Sequence, residues 1–498
     1  MPGHQSIGGR DEAVLSSFGY GQELRRALRL FSLYAVAFSV ISITTGITLN
    51  YGFAVSNFGP AGIWTWLIAG TGQLVVALII AELSTRMPLA GYAYQWTARL
   101  LHSGYGWFVG FISLGAMAIS VAGITLLATA PFVATLFGWD TSNPRLLLLL
   151  AYVLLLLPVA INIISVQLAA RVNNVAVFTE ILGMTGFGVA LFLAWATKSH
   201  SRGINRSLGY LTHTGSVSPL WYGFALAGLL GIFTIIGFEL AANLSEEAID
   251  ARLTVPKAVI LSVITAVTFG FIALAGFTMA LPDVKSPDLI GTVTFWFGTV
   301  WTKVFLVLVI TSIFALTVVV TGAAARLVYA MARDNMLPFS PALRKVSRRT
   351  RTPVIAMVVM LLVTAAFIQY GYLAGAGASG AFGALIGATS IIAYVVYLMI
   401  VVSYAFRRRE LDAIAGEFNL GFWGRPVIVI ALAWVLIALG ASTSRMSSGR
   451  PITSAALLSP WRRSGISPSC EAGWREARPA WIRSPLRQRH RSIDPRAP

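Results

Sequence analysis

Two long apolar stretches of this chain are interrupted by residues that could bind a ligand. The first interruption consists of Ile41, Ser42, Thr44, Thr45 and Gly46. The second consists of Ile232, Phe233, Thr234, Ile235 and Gly237. Hydrocarbon cannot hydrogen-bond a free backbone group, so a helix that is broken inside a membrane must line a cavity or a bound ligand. We therefore expect two broken membrane helices that together bind a small molecule.

The first break offers both signs of partial charge. A broken helix exposes carbonyl groups at the end of one half and N–H groups at the start of the next. The carbonyls attract a cation and the N–H groups attract an anion, so one break can hold both ends of a zwitterion. Thr44 and Thr45 add hydroxyl groups, and Gly46 lets a ligand approach the backbone. The alternative is a packing interface of small residues between intact helices.

Two glutamates lie inside apolar segments, where an ionisable group is costly and indicates function. Glu239 ends the second break, in which Phe233 could lie over the ligand as a gate. Glu180 lies within another apolar segment and could carry a proton. The alternatives are a Glu239 that reaches water at the end of its helix, and a Glu180 that lies at the membrane interface or pairs with Arg171.

Glu82 and Arg86 are one helical turn apart at the end of a further apolar segment. This spacing is typical of an ion pair on one helix. The sharper hypothesis is that the pair belongs to a network that gates access from the cytoplasm. The sequence alone leaves both possibilities open.

The elements that position these residues are membrane helices. Of the 498 residues, 56% are hydrophobic and 11% are charged, and the mean hydropathy is +0.75. Apolar runs of about 20 residues recur, and each is long enough to span a bilayer. The runs are continuous rather than alternating, which argues against a membrane β-barrel. We predict an all-α polytopic membrane protein with eleven spans, at residues 30–56, 62–86, 105–136, 146–164, 173–196, 219–243, 255–281, 301–331, 353–371, 381–405 and 425–442.

Composition excludes several classes of site and partner. The chain has one cysteine, Cys470, and five scattered histidines, so we expect no disulfide, no metal site and no cofactor. The net charge is +18, and this excess is expected on cytoplasmic loops, so it does not indicate a nucleic acid partner. The expected surroundings are the lipid bilayer. No cleavable signal peptide is expected, because the first thirty residues are polar and basic.

Charge and hydropathy also divide the chain. Lys and Arg concentrate on one set of loops together with the N-terminus, so residues 1–28 are expected to be a cytoplasmic segment of a multi-pass plasma membrane protein. Residues 29–442 form the expected permeation domain. Residues 443–498 form a basic tail that we expect to be disordered. It is either a basic surface tail or a truncated or frame-altered end that replaces a twelfth span.

Three stretches carry a family resemblance. They are residues 81–96 (AELSTRMPLAGYAYQW), residues 237–247 (GFELAANLSEE) and residues 325–338 (ARLVYAMARDNMLP). With them the chain resembles the amino acid–polyamine–organocation superfamily of permeases over about residues 20–440. The sequence around residues 237–260 looks most like the branch that carries amino acids, γ-aminobutyrate and choline.

The resemblance implies a LeuT-type fold with two inverted five-helix repeats, spans 1–5 and 6–10, in which helices 1 and 6 are broken. It implies that backbone around Thr44, Thr45 and Gly46 holds a substrate carboxylate. Carbonyls near Ile41 and from Ile232 to Ile235 would hold the amine. Phe233 occupies the place of the family's aromatic gate.

Two positions depart from the family pattern. Glu180 stands where many sodium-independent members carry a lysine that substitutes for a sodium ion, which excludes a lysine-based mechanism and leaves the coupling ion open. Thr44 stands where the usual break carries a glycine, which leaves the ligand's head group open.

The resulting hypothesis is a secondary active transporter for an amino acid or a related small amine. It would work by alternating access, with spans 1, 2, 6 and 7 rocking against the rest. We expect coupling to a proton, less so to sodium, through Glu180 or Glu239. The alternatives are an exchanger, a choline or polyamine carrier, and a membrane sensor that binds without transport. An enzyme is disfavoured because the spans lack convergent histidine, aspartate or cysteine, and a channel because no ring-forming filter repeats.

Overall fold

The described part of the chain is helical. The computed structural model describes residues 7–447 except 216–218, 376–380, 413 and 415, and it contains no strand among them. This agrees with the predicted all-α class. The helices are α1 (Ile7–Ser17), α2 (Leu30–Ile41), α3 (Ile43–Phe58), α4 (Trp64–Arg86), α5 (Tyr92–Leu100), α6 (Ser103–Ile124), α7 (Ala130–Phe137), α8 (Pro144–Ile164), α9 (Val166–Lys198), α10 (Leu220–Thr234), α11 (Leu240–Asn243), α12 (Ala251–Ala280), α13 (Leu289–Arg333), α14 (Ser340–Leu343), α15 (Val354–Leu373), α16 (Ala381–Leu411) and α17 (Gly424–Ser447).

Each predicted span corresponds to one of these helices or to a pair of them. Ten stretches of the described residues are long and apolar enough to cross a membrane, and α10 is a shorter apolar helix. Span 1 is the pair α2 and α3, span 6 is the pair α10 and α11, and span 3 joins α6 to α7 through a π-helical turn at Thr125–Thr129. The remaining spans are α4, α8, α9, α12, α13, α15, α16 and α17. Spans 1 and 6 are therefore the two that break near the predicted ligand-binding residues.

Span 8 is longer than predicted because two helices meet in it. The dihedral angles at Gly298 (φ 80°, ψ −177°) are not helical, and they separate a short first helix from the main one. The predicted range of 301–331 matches the helix after this kink. The hydropathy pattern predicted the long helix after the kink correctly and did not predict the helical segment that begins at residue 289.

Burial divides the spans into central and peripheral ones. In the most apolar window of span 1, 72% of the residues are buried, against 28% in the corresponding window of α8. Large apolar side chains on α8 and α9, such as Leu149 and Phe178, are exposed. An exposed apolar face of this kind is suited to lipid, whose tails are as apolar as the side chains themselves.

Spans 1, 2, 6 and 7 contact one another through polar pairs, and we call these four spans the bundle. The Tyr34 hydroxyl on span 1 lies 2.9 Å from Thr265 Oγ1 on α12. Trp66 Nε1 on α4 donates to the Val267 carbonyl, also on α12, at 3.0 Å. Thr65 Oγ1 on α4 donates to the Ala227 carbonyl on α10 at 3.1 Å.

Helices outside the bundle form a second set of contacts. Asn162 on α8 donates to the Val318 carbonyl on α13 at 2.9 Å. Tyr152 on α8 donates to Gln369 on α15 at 2.8 Å. Spans 3, 4, 8 and 9 are called the scaffold below, and α9 and α16 are spans 5 and 10.

The loops predicted to be cytoplasmic meet at one end of the molecule, which we call the N-terminal side. The N-terminal segment runs along the loop after α11, with backbone hydrogen bonds from Ala27 N and Leu28 N to the Glu247 carbonyl at 2.8 and 2.9 Å. Trp107 at the start of α6 donates to the Met336 carbonyl after α13 at 3.0 Å. The helix α1 lies within the predicted 1–28 segment, and α17 continues past the predicted boundary at residue 442 to Ser447. The rest of the predicted tail lies outside the described residues.

Candidate functional site

The first break is a single residue. Ser42 adopts left-handed dihedral angles (φ 43°, ψ 77°), which end α2 and restart the helix as α3. Non-glycine residues rarely adopt this conformation, and such strain is retained where function requires it. Ser42 Oγ lies 2.6 Å from Thr45 Oγ1 and 3.4 Å from Thr45 N, so it caps the new helix. The predicted residues Ile41, Thr44, Thr45 and Gly46 are all buried around it.

Glu180 of span 5 holds the start of α3. Its Oε1 accepts a hydrogen bond from Thr44 N at 2.9 Å and lies 3.2 Å from Ser42 Oγ. Ser42 Oγ is also 2.8 Å from Ser312 Oγ on span 8. Glu180 is fully buried, and its Oε2 has no hydrogen-bond partner within the described residues. The carboxylate therefore lies at the positive end of the α3 dipole and joins spans 1, 5 and 8.

Glu180 is buried within the protein and contacts the first break directly, and it pairs with no arginine in the described ion pairs. Its role in coupling stays a prediction. Ser312 was missed by the sequence reasoning. A lone serine in a span of small and branched residues carries no distinctive signal.

The second break covers Ile235 to Glu239. The helix α10 ends at Thr234, and Gly237 has a φ of 89°, which a side chain would disfavour. The Gly237 N–H donates to the Tyr397 hydroxyl of span 10 at 3.1 Å, and that hydroxyl donates to Glu239 Oε2 at 2.7 Å. Glu239 is therefore buried and hydrogen-bonded within the molecule, and it does not extend to solvent at the end of its helix.

The carbonyls of the second break are only partly available to a ligand. The Ile232 carbonyl accepts a hydrogen bond from the Tyr394 hydroxyl at 3.1 Å, and that hydroxyl accepts one from Gln73 Nε2 at 2.7 Å. Phe233, the expected aromatic gate, is half-buried. The structure thus places the predicted residues at one break, and it assigns Ile232 a partner that the sequence did not indicate.

The two breaks contact each other. A Cβ atom on Gly46 would overlap the Thr234 side chain, and a Cβ atom on Gly237 would overlap the Val40 side chain. Each glycine thus lets one broken helix approach the other at its interruption. The structure brings the ten predicted ligand-binding residues, with Glu180 and Glu239, into one region, and all of them except Phe233 are buried.

Three tyrosines of span 10 were missed by the sequence reasoning. Tyr394, Tyr397 and Tyr404 are buried, and each hydroxyl bonds a residue of the bundle: the Ile232 carbonyl, Glu239 and Glu82 respectively. Their spacing of three and ten residues places them on one side of a helix with 3.6 residues per turn. That polar stripe in an otherwise apolar span was the available signal.

Glu82 and Arg86 form a buried ion pair at 2.6 Å, distant in sequence from the breaks. Arg86 also pairs with Asp412 at 3.1 Å and donates to the carbonyls of Leu411 and Ile414, in the segment that links spans 10 and 11. The pair therefore belongs to a network at the N-terminal side and is more than an isolated pair on one helix. Its role as a gate remains a prediction.

Further ion pairs join the bundle to span 8 at the N-terminal side. Glu247 pairs with Arg326 through two hydrogen bonds, and both side chains are 2% exposed. Glu246 pairs with Arg333 in the same manner, at 2.9 and 3.0 Å. These residues lie in the two later stretches that carry the family resemblance, and residue type alone does not indicate their partners.

The N-terminal segment covers these pairs. The Tyr20 hydroxyl donates to Asp334 Oδ1 at 2.7 Å, and the Arg333 guanidinium lies 3.6 Å from the centre of the Tyr20 ring. Burial raises the pKa of Tyr20, and the hydrogen bond to Asp334 raises it further, so the hydroxyl stays a donor at neutral pH. Charged and aromatic contacts therefore cover this part of the N-terminal side.

Among the described residues, no group of three or more histidine, cysteine, aspartate or glutamate side chains could hold a metal ion. Glu180 is surrounded by hydroxyl and N–H groups instead.

Comparison with known proteins identifies the family. A family model described as "Amino acid permease" matches residues 28–457. The chain is 27% identical to an uncharacterized amino-acid permease, C74.04, of Schizosaccharomyces pombe, over 85% of this chain and 78% of the relative. It is 24% identical to the amino-acid permease BAT1 of Arabidopsis thaliana, over 85% of this chain and 86% of the relative.

A solved structure supports the fold. The crystal structure of MhsT in complex with L-phenylalanine superposes with a TM-score of 0.61 at 15% sequence identity, and it covers 85% of this chain and all of that one. The likeness shows the LeuT-type fold, with its inverted repeats and broken helices 1 and 6, and it confirms the expectation from the sequence. The family comprises membrane transporters rather than enzymes. With a matching family model over most of its length and the fold of a known transporter, the chain belongs to the amino acid permease family.

Proposed function

We propose that this protein carries a small amino acid or a related amine across the membrane by alternating access, coupled to a proton at Glu180. Transport of an amino acid follows from the family. The coupling ion, the moving parts and the substrate-binding residues are the proposed elements.

The observation that carries the proposal is the contact of Glu180 with the first break. An ionised carboxylate accepts the Thr44 N–H at the positive end of α3, where negative charge is stabilised. Protonation removes that charge and weakens the bond. Proton binding and the geometry of the first break are therefore thermodynamically linked, and a ligand that prefers one geometry prefers one protonation state.

The substrate class is supported by the polarity of the breaks. In the first break Glu180 already accepts the Thr44 N–H, so a substrate carboxylate would find the hydroxyls of Thr44 and Thr45 at the start of α3. The second offers carbonyls between Ile232 and Ile235 to an amine, with Phe233 at its edge. MhsT was crystallised with the amino acid L-phenylalanine, and the two relatives are termed amino-acid permeases.

Alternating access is supported by the buried contacts at the N-terminal side. The Glu247–Arg326 and Glu246–Arg333 pairs join the bundle to the scaffold, and the Glu82–Arg86 network closes the same side. Opening towards this side requires these contacts to separate. We propose that this side faces the cytoplasm of a plasma membrane protein, because it carries the loops richest in Lys and Arg.

The experiment is uptake into proteoliposomes driven by a pH gradient. Glu180→Gln keeps the size and hydrogen-bonding capacity of the side chain and removes its proton, so accumulation driven by the gradient is expected to be lost. The matched control is Glu410→Gln, which removes an exposed carboxylate at the end of span 10 that pairs only with Arg407 among the described ion pairs. Unchanged accumulation by the Glu180 variant would remove Glu180 from the mechanism.

Exchange and sensing are distinguished in the same vesicles. An exchanger would swap labelled for unlabelled substrate and show no response to the pH gradient in the wild type. A sensor would bind substrate without moving it in either assay.

A further inference from the structure

Each broken helix is held by the last span of its own repeat. In the first repeat, Glu180 of span 5 accepts the Thr44 N–H of the break in span 1 at 2.9 Å. In the second repeat, the Tyr397 hydroxyl of span 10 accepts the Gly237 N–H of the break in span 6 at 3.1 Å. Spans 5 and 10 occupy equivalent places in the inverted repeats, so the two contacts are structural counterparts.

The counterparts differ in chemistry. The first repeat uses a carboxylate, which can change charge. The second uses a phenol, which is neutral over the physiological range of pH. The Tyr397 hydroxyl also donates to Glu239 Oε2 at 2.7 Å, so its single proton is committed and its oxygen is oriented to accept from Gly237.

Packing fixes the Tyr397 ring. The ring stacks on Phe238, with centroids 5.7 Å apart and an interplanar angle of 21°. The Tyr394 ring meets it edge-on at 5.7 Å. Tyr397 is fully buried, so water does not replace its hydroxyl as the acceptor for the break. The side chain is therefore preorganised to hold the backbone at Gly237.

We propose that Tyr397 is a positioning residue that holds the backbone of the second break in the substrate-binding geometry. Its hydroxyl fixes Gly237, while Glu239 serves to orient that hydroxyl. The consequence for substrate binding rests on the proposed function. The consequence for the backbone does not, because it can be measured without any substrate.

Amide hydrogen exchange of the full-length protein in detergent tests the backbone contact. Tyr397→Phe removes the acceptor of the Gly237 N–H, and we expect exchange in peptides covering residues 235–240 to be faster by about fivefold, as for the loss of one hydrogen bond. The matched control is Tyr404→Phe, which removes a buried hydroxyl from the same helix that bonds Glu82 and not the break. Equal exchange of residues 235–240 in the two variants would overturn the proposal.

A second variant separates the hydroxyl from the carboxylate. Glu239→Gln leaves an acceptor for the Tyr397 hydroxyl, so the protection of residues 235–240 should be retained. Loosening of this segment as large as in Tyr397→Phe would show that the carboxylate holds the break, against the proposal. If Tyr397→Phe does not fold, 4-fluorophenylalanine at position 397 fills the space of the hydroxyl without its hydrogen bonds and is expected to give the same faster exchange.

Uptake kinetics test the consequence for substrate. Tyr397→Phe is expected to raise KM about fivefold with less change in the maximal rate and no shift in the pH profile, because the proton site is at Glu180. A shifted pH profile, or a loss of rate at unchanged KM, would contradict a positioning role. If the wild type shows no uptake, the proposed function fails while the exchange result still decides the role of Tyr397 in the fold.

Discussion

Gly46 and Gly237 set how closely the two broken helices approach. Neither position tolerates a Cβ atom, because Gly46 faces Thr234 and Gly237 faces Val40. The contact is reciprocal, since each glycine belongs to one broken span and its neighbour to the other. A change at either glycine therefore acts on the whole site.

Gly46→Ala is expected to destabilise the protein by about 1–3 kcal/mol, the usual cost of overpacking a filled interior. It should also abolish uptake, because the added methyl group separates α3 from α10 at the break. Thermal denaturation in detergent and proteoliposome uptake measure the two effects. The control is Gly186→Ala on α9, where no atom lies within 4 Å of the new Cβ, and a change there should affect neither.

The sequence located the residues of the site better than their partners. Thr44, Gly46, Gly237 and Glu180 could be selected because polar or helix-breaking residues in apolar stretches are costly. The partner of Glu180 could not be selected, because its contact with Thr44 N joins residues on two helices. Almost every residue type carries the same backbone N–H and C=O groups, so residue type does not show which of them is a partner.

At the scale of elements, the ion pairs between span 8 and the loop after α11 connect the scaffold to the bundle. Arg326 binds Glu247 through two hydrogen bonds and also donates to the Gly322 carbonyl at 2.8 Å, so each nitrogen of its guanidinium has a partner. The N-terminal segment hydrogen-bonds to the carbonyl of the same Glu247. This residue therefore links three parts of the molecule.

Glu247→Gln leaves the Arg326 charge buried without its counter-charge, which costs about 3–5 kcal/mol. Part of this cost is relieved if the N-terminal side opens. We expect a lower melting temperature and faster amide exchange in residues 22–28 and 245–250.

The control for this experiment is Glu410→Gln, which breaks the exposed pair with Arg407 at the same side of the protein. Exposed pairs contribute little to stability, so its melting temperature should stay close to that of the wild type. Amide exchange as slow as in the wild type in both segments of the Glu247 variant would contradict a role of the Glu247–Arg326 pair in closing this side.

The elements themselves were largely predictable, and the exceptions have physical causes. Hydropathy identifies a span by its length, so it located the helices but did not extend span 8 back to residue 289. The break in span 1 was predicted from its polar residues and glycine instead, and the structure places it at Ser42. Gly298 interrupts the helix where the sequence is apolar on both sides, and hydropathy carries no information about dihedral angles. The contact of span 10 with the bundle depends on which neighbours the tyrosine face of α16 meets. Those neighbours are known only once the positions of the other helices are known.

At the scale of the whole molecule, side chains of spans 5, 8 and 10 contact the two breaks of the bundle. The bundle carries both breaks, while Glu180 and Ser312 approach the first break from spans 5 and 8. We propose that a substrate in the breaks would contact both the bundle and these neighbouring spans. Its binding free energy would then stabilise the arrangement in which they are joined.

A thermal-shift screen of the purified protein measures that stabilisation directly. A ligand present at one hundred times its dissociation constant stabilises the folded state by about 2.7 kcal/mol, which raises the melting temperature measurably. We expect a small amino acid or a related amine to do so, and the screen should therefore include amino acids, γ-aminobutyrate, choline and polyamines. A ligand that binds in the breaks should lose its effect in Gly46→Ala and retain it in Gly186→Ala. A shift of equal size in both variants would place the ligand outside the two breaks, because only Gly46 lies where the broken helices meet.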